Sequence, residues 1–195
     1  MKSVAVFCGS NRGRSPAFAE GAAALGGAIA RRGARVVYGG GNVGLMGVLA
    51  DAALAAGGQV IGVIPEALVA RELAHKGCTE LHVVTSMHDR KALMADLADG
   101  FVMLPGGFGT YDEFCEIVTW AQLGIHAKPC GVLDLAMESG VGFFRALLEH
   151  FDVATREGFV HESHRRMILE AATPDALLDA MDAYEPTFAA KWIDR

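Results

Sequence analysis

The chain has 195 residues, 52% of them hydrophobic and 21% charged, and a net charge of −6. That length suits one hydrophobic core, and that composition excludes a disordered chain. The acidic balance, with no run of like charges, argues against a nucleic-acid or anionic-membrane partner, both of which want a basic stripe.

In chain order, short β-branched runs alternate with Ala/Leu-rich periodic segments, the pattern of strand and crossover helix. Val4–Cys8 predicts the first strand. Ser15-Pro16, an N-cap followed by proline at the first helical position, opens a helix to about Arg32 that stops at Gly33. Arg35–Tyr38 predicts a second strand and Leu45 to Ala56 a second helix. Further strands are expected at Gln59–Ile64, Leu81–Val84, Gly100–Leu104 and Cys130–Leu133. Further helices are expected from Met87 to Ala98, Thr110 to Gln122, Gly142 to Phe151, His161 to Ala171 and, after Thr173-Pro174, Asp175 to Tyr184. The strands are almost wholly apolar, as expected of parallel strands covered on both faces. No linker or repeat interrupts the series. The expected fold is a single α/β domain, a doubly wound Rossmann-like parallel sheet flanked by helices, with ligands bound at the carboxyl ends of the strands.

The longest uncharged run, Val36 to Ala50, is too short to span a bilayer and is broken by five glycines. The N-terminus carries no targeting pattern, so the expected location is cytoplasmic. Cys8, Cys78, Cys115 and Cys130 form no CxxC and read as free thiols in a reducing compartment. His161 and His164 lack the spacing of a zinc-binding HExxH, and no metal is expected.

Glycine is abundant, with 24 residues against the roughly 7% of ordinary proteins. Five fall in Gly39-Gly-Gly-Asn-Val-Gly44-Leu-Met-Gly47 after the second strand, where backbone N–H groups and a helix start favour an anion. A tight turn that lets helix and strand pack closely explains the same glycines. A dinucleotide would also want a ribose-binding acid about 20 residues on. Glu66 is near that distance, but Pro65 precedes it. Three more glycines lie in Pro105-Gly-Gly-Phe-Gly-Thr110-Tyr-Asp-Glu113, a second loop running into a helix. Thr110 and Glu113 also have the spacing of a capping box, although a capping box does not require the glycines before it. Two phosphate-type loops on one sheet point to a nucleotide.

Between these loops, Ser86-Met-His-Asp-Arg90-Lys91 starts a helix whose apolar stripe is Leu93, Met94 and Leu97. Arg90 shares that inward stripe. It also lies in the first turn, where the helix dipole disfavours a cation, so it calls for a nearby anion; a solvated Lys/Arg pair is the plainer alternative. His88 reads as structural or solvent-facing.

Together these motifs resemble the Lonely Guy (LOG) family of nucleotide phosphoribohydrolases. Val6-Phe-Cys-Gly-Ser10, Ile64-Pro65 and Thr119-Trp-Ala-Gln-Leu-Gly124 extend the resemblance over roughly residues 4 to 170. It implies hydrolysis of the N-glycosidic bond of N6-substituted adenosine 5′-monophosphates, and often AMP, to free base and ribose 5-phosphate. It further implies Arg90 and Glu113 as the catalytic pair and Gly107 to Thr110, through Phe108 and Gly109, as the phosphate loop. Glu72, Lys91 and Thr119 match further substrate contacts. Ser10, Gly41, Met87, Tyr111 and Asp112 complete the expected binding set. No cofactor is implied, and a homodimer is. Leu135–Phe144 departs from the family pattern after the sixth strand, which affects loop structure more than chemistry.

The chemistry fits the residues. A carboxylate can stabilise an oxocarbenium-like ribose and activate water, and a guanidinium can orient carboxylate or phosphate. Three alternatives are weaker. Lysine decarboxylation would use a Schiff-base lysine and pyridoxal phosphate, yet only Lys91 of the five lysines lies near the motifs. A non-catalytic nucleotide or molybdenum-cofactor carrier would not need both Glu113 and Arg90. A nicotinamide-dependent oxidoreductase lacks a convincing ribose acid.

Overall fold

A computed structural model describes residues 1–70 and 73–186. Among these residues, seven strands form one parallel sheet: β1 (Ser3–Phe7), β2 (Arg35–Tyr38), β3 (Val60–Pro65), β4 (Glu80–Val84), β5 (Gly100–Met103), β6 (Cys130–Leu133) and β7 (Ile168–Ala171). Their spatial order is β4-β3-β2-β1-β5-β6-β7. The order reverses between β1 and β5, so the crevice beyond their carboxyl ends is where such a sheet receives ligands.

The crossover helices are α1 (Pro16–Arg31), α2 (Gly44–Ala55), α3 (Glu66–Val69), α4 (Met87–Leu97), α5 (Phe108–Gln122), α6 (Arg145–Arg156) and α7 (Glu162–Arg165), and α8 (Pro174–Asp182) follows the last strand. Alternate residues of β1 feed two cores. Val4 and Val6 join Leu25, Leu49 and Leu177 from α1, α2 and α8. Ala5 and Phe7 join Met94, Phe114 and Leu148 from α4, α5 and α6. Burying a leucine or phenylalanine in this way contributes roughly 1.5–3 kcal/mol each, so both helix layers are firmly seated and the strand ends are held in place.

The six expected strands are present within a residue or two. The expected helix from His161 to Ala171 is not. Its first residues form the four-residue α7, and Ile168–Ala171 leaves as β7, registered against Cys130–Leu133. Leu169, Glu170 and Ala171 favour helix intrinsically, but the open edge of β6 supplies backbone hydrogen bonds and a place to bury Ile168, and tertiary pairing overrides propensity. The short α3 after Pro65 also escapes the pattern. Helix α6 starts at Arg145 and runs to Arg156, later at both ends than expected.

The departure after β6 is a small excursion. Ala136 bridges Gly142 in antiparallel fashion, and the Met137 N–H donates to the Val141 carbonyl at 2.8 Å across a turn containing Gly140. Asp134 at the β6 terminus accepts from the Phe144 N–H at 2.7 Å, which returns the chain to the core at Phe143 and Phe144.

Candidate active site

Arg90 lies in the first turn of α4 and is only 8% exposed. The helix start is fixed by Ser86, whose hydroxyl accepts from the Asp89 N–H at 3.1 Å and donates to its carboxylate at 2.7 Å. This cap points Arg90 inward over the ends of β2 and β3. Its Nε donates to the Val63 carbonyl at 3.1 Å, and its Nη2 to the Gly39 carbonyl at 3.2 Å. Its Nη1 donates to Glu113 Oε1 at 3.0 Å and lies 4.0 Å from the Met87 sulfur. A cation at the wrong end of a helix dipole is thus held by two carbonyls and a carboxylate.

Glu113 is 7% exposed on α5, which follows β5. Burial pushes its carboxyl above the usual value, and the Arg90 charge opposes that rise. Cys8, just after β1, is buried within electrostatic reach of the pair. Desolvation and the Glu113 charge push its thiol far up, which keeps it neutral. Two close approaches make the arrangement possible. A Cβ on Gly39 would sit 1.7 Å from Arg90 Nη2, and one on Gly44 (φ +61°) would sit 2.2 Å from the Ser10 carbonyl carbon.

Helix α5 begins at Phe108, with Gly107 as N-cap and no side chain capping it. Thr110 and Glu113 therefore do not form a capping box. Thr110 is inside the helix, buried, with its hydroxyl where a Cβ on Gly106 would be 2.1 Å away, and Glu113 faces Arg90. The helix start carries no side-chain cap, and its N-cap Gly107 lines the switch-point crevice. A cleft of about 320 Å³ lies there, lined by Ser10, Asn11, Arg12, Leu45, Gly107 and Phe143 among others. Asn11, Arg12 and Phe143 are functional candidates that sequence reasoning passed over. Gly9-Ser-Asn-Arg-Gly13, a third glycine-bounded turn at a strand end, was their signal.

Lys91 donates to Asp112 Oδ2 at 3.0 Å and pairs with Glu116 at the same distance. Burial would lower its pKa, but hydrogen bonds to Glu116 and Asp112 outweigh that and raise it. Lys91 therefore stays a cation, contrary to the neutral amine a Schiff-base lysine needs. Phe108 is 93% exposed at the mouth of α5, and Met87 is also exposed. Tyr111 turns away and packs edge-on against Phe144. Gly41 is buried against Met46, with an antiparallel bridge to Ala74. Thr119 is not brought to the pair within this chain. Its hydroxyl donates to the Cys115 carbonyl at 2.7 Å, and it lines a separate apolar cavity of about 160 Å³ with Phe114, Phe151 and Ile168. Glu72 lies outside the described residues. His161 caps α7, and no metal-binding cluster occurs among the described residues.

This geometry can be set beside known proteins. The sequence family described as "possible lysine decarboxylase" matches residues 46–181. A cytokinin riboside 5′-monophosphate phosphoribohydrolase of Rhodococcoides fascians is 51% identical over 169 residues, 86% of this chain and 83% of the relative. One of Arabidopsis thaliana is 44% identical over 188 residues, 96% of this chain and 84% of the relative. The chain belongs to the Lonely Guy family. Another Lonely Guy relative, from Oryza sativa subsp. japonica, is 43% identical over 96% of this chain and 76% of its own length. Among solved structures, the molybdenum cofactor binding protein of Rippkaea orientalis superposes with a TM-score of 0.69 at 20% identity, covering 93% of this chain and 95% of that one. The molybdenum cofactor carrier protein of Chlamydomonas reinhardtii superposes at 0.67 and 19%, covering 93% and 96%. Likeness at that identity extends the Lonely Guy fold to proteins with other ligands.

Proposed function

We propose that this chain hydrolyses the N-glycosidic bond of adenosine 5′-monophosphates, N6-substituted ones included, releasing the free base and ribose 5-phosphate. The buried Arg90–Glu113 pair beside the switch-point cleft carries this reading, since desolvating two charges adds little stability over apolar packing, and buried, charge-coupled groups cluster at functional sites. The names of relatives at 43–51% identity support it.

In this mechanism the 5′-phosphate sits on the N–H groups of Gly107 to Thr110, with Arg12 supplying positive charge at the cleft rim. The bond between ribose C1′ and the base nitrogen breaks as a water oxygen bonds to C1′. Glu113 stabilises the oxocarbenium-like ribose and takes one water proton, which it then returns to solvent, while the base, leaving with the bonding pair, takes up one proton from solvent, so each turnover consumes one water. Arg90 holds the Glu113 carboxylate in place and ionised. Met87 and Phe108 present apolar surface to the base, and Lys91 with Asp112 borders the site.

The working unit we propose is a homodimer. Leu123 and Ile125, exposed just beyond α5, supply apolar surface for a second copy. Four free cysteines suit a reducing, cytoplasmic setting. No helix among the described residues is long and apolar enough to cross a membrane. The test is incubation of purified protein with AMP and its N6-isopentenyl derivative, with products separated by chromatography. Tight binding without turnover would favour a carrier instead.

A further inference from the structure

The Gly39–Asn42 turn that supplies a carbonyl to Arg90 is itself clamped from its other side. The His75 N–H donates to the Gly40 carbonyl at 2.9 Å, the Asn42 N–H to the Leu73 carbonyl at 2.8 Å, and Gly41 bridges Ala74. This strip, residues 73–77, is pinned by the His75 side chain, which is 6% exposed. The ring accepts from the Gly77 N–H at Nδ1, 3.0 Å, so its proton is on Nε2 and donates to Asp51 Oδ1 of α2 at 3.0 Å. On its remaining side the turn meets β3, where a Cβ on Gly40 would lie 2.9 Å from the Ile64 Cβ. The glycine turn is therefore held between Arg90, β3 and a strip fixed by one histidine.

We propose that His75, through its bond to Asp51, is a positioning residue for Arg90: it fixes the Gly39 carbonyl that sets the guanidinium plane facing Glu113. This rests on the reading of the site as a phosphoribohydrolase centre. Without the clamp the turn gains freedom, Arg90 loses one of its two carbonyl anchors, and the carboxylate it orients strays from the reacting carbon. A misplacement of that kind slows chemistry more than it weakens binding.

The experiment compares His75→Ala and His75→Gln with wild type, using AMP as substrate and the Arg90 Nε–H signal of ¹⁵N-labelled protein as a second readout. We expect His75→Ala to lower kcat by about ten- to a hundredfold with KM within about threefold, and to shift or broaden the Arg90 signal. His75→Gln, whose amide can still donate to Asp51, restores both. Asp51→Ala, at a position 70% exposed, repeats the test should His75→Ala fail to fold. A lowered melting temperature with unchanged kcat and an unmoved Arg90 signal overturns the proposal and leaves His75 a purely structural residue. If wild type turns over no AMP, the reading of the site fails separately, and the Arg90 signal alone decides the role of His75.

Discussion

Arg90 and Glu113 start from different helices, α4 and α5, and meet at 3.0 Å over the carboxyl ends of the central strands, each less than a tenth exposed. Neither charge is satisfied by its own helix. The guanidinium sits against its helix dipole, and the carboxylate has no capping role, so each depends on the other and on the sheet that holds both.

Glu113→Gln keeps the shape and the hydrogen-bond acceptor but removes the base and its charge. We expect kcat on AMP to fall by at least about a hundredfold, with circular dichroism unchanged. Arg90→Lys keeps the charge but loses the fork that spans the Gly39 and Val63 carbonyls as well as Glu113, and it should fall comparably.

Burial holds the Glu113 carboxyl above its ordinary 4.5. Activity that needs the carboxylate should therefore rise with pH through a midpoint above 4.5. The stability consequence has the opposite sense. The folded protein keeps a proton that the unfolded chain has released, so the Glu113 contribution falls as pH rises from 4.5 through the folded value and is constant on either side. Urea melts at a series of pH values should show wild type losing ground to Glu113→Gln across that window. A difference that stays flat, or grows with pH, contradicts the shift.

Gly39→Ala places a methyl where Arg90 Nη2 now lies. The guanidinium must move, and the pair with Glu113 with it. The expected cost is about 1–3 kcal/mol of stability together with a drop in kcat of about tenfold or more. Loss of stability with full activity would show that Arg90 has no part in turnover.

Arg32 ties α1 to α8 through Asp175, Asp179 and Asp182, with Nη2 2.7 Å from Asp179. These acids are exposed, and such pairs contribute little. Arg32→Ala should cost about 1 kcal/mol or less and leave kcat and KM unchanged, a control for variants far from the cleft.

Much of this was legible in the sequence because it is local. Apolar runs named six strands, and Pro16 and Gly33 bounded the first helix. The inward register of Arg90 with Leu93, Met94 and Leu97 announced a buried cation before any partner was known. What escaped is non-local. Ile168–Ala171 is a strand only because the β6 edge is open to it. Arg12, Asn11 and Phe143 join the cleft because loops distant in the chain converge at the switch point. The Thr110-x-x-Glu113 spacing fits a capping box equally well, and only the fold shows the helix starting earlier, at Phe108, with Glu113 turned to Arg90.

The most direct measurement is the product analysis of AMP and N6-isopentenyl-AMP incubated with wild type and with Glu113→Gln. We expect hydrolysis, with equimolar free base and ribose 5-phosphate from wild type and almost none from the variant. No products from wild type, or undiminished products from Glu113→Gln, would contradict it.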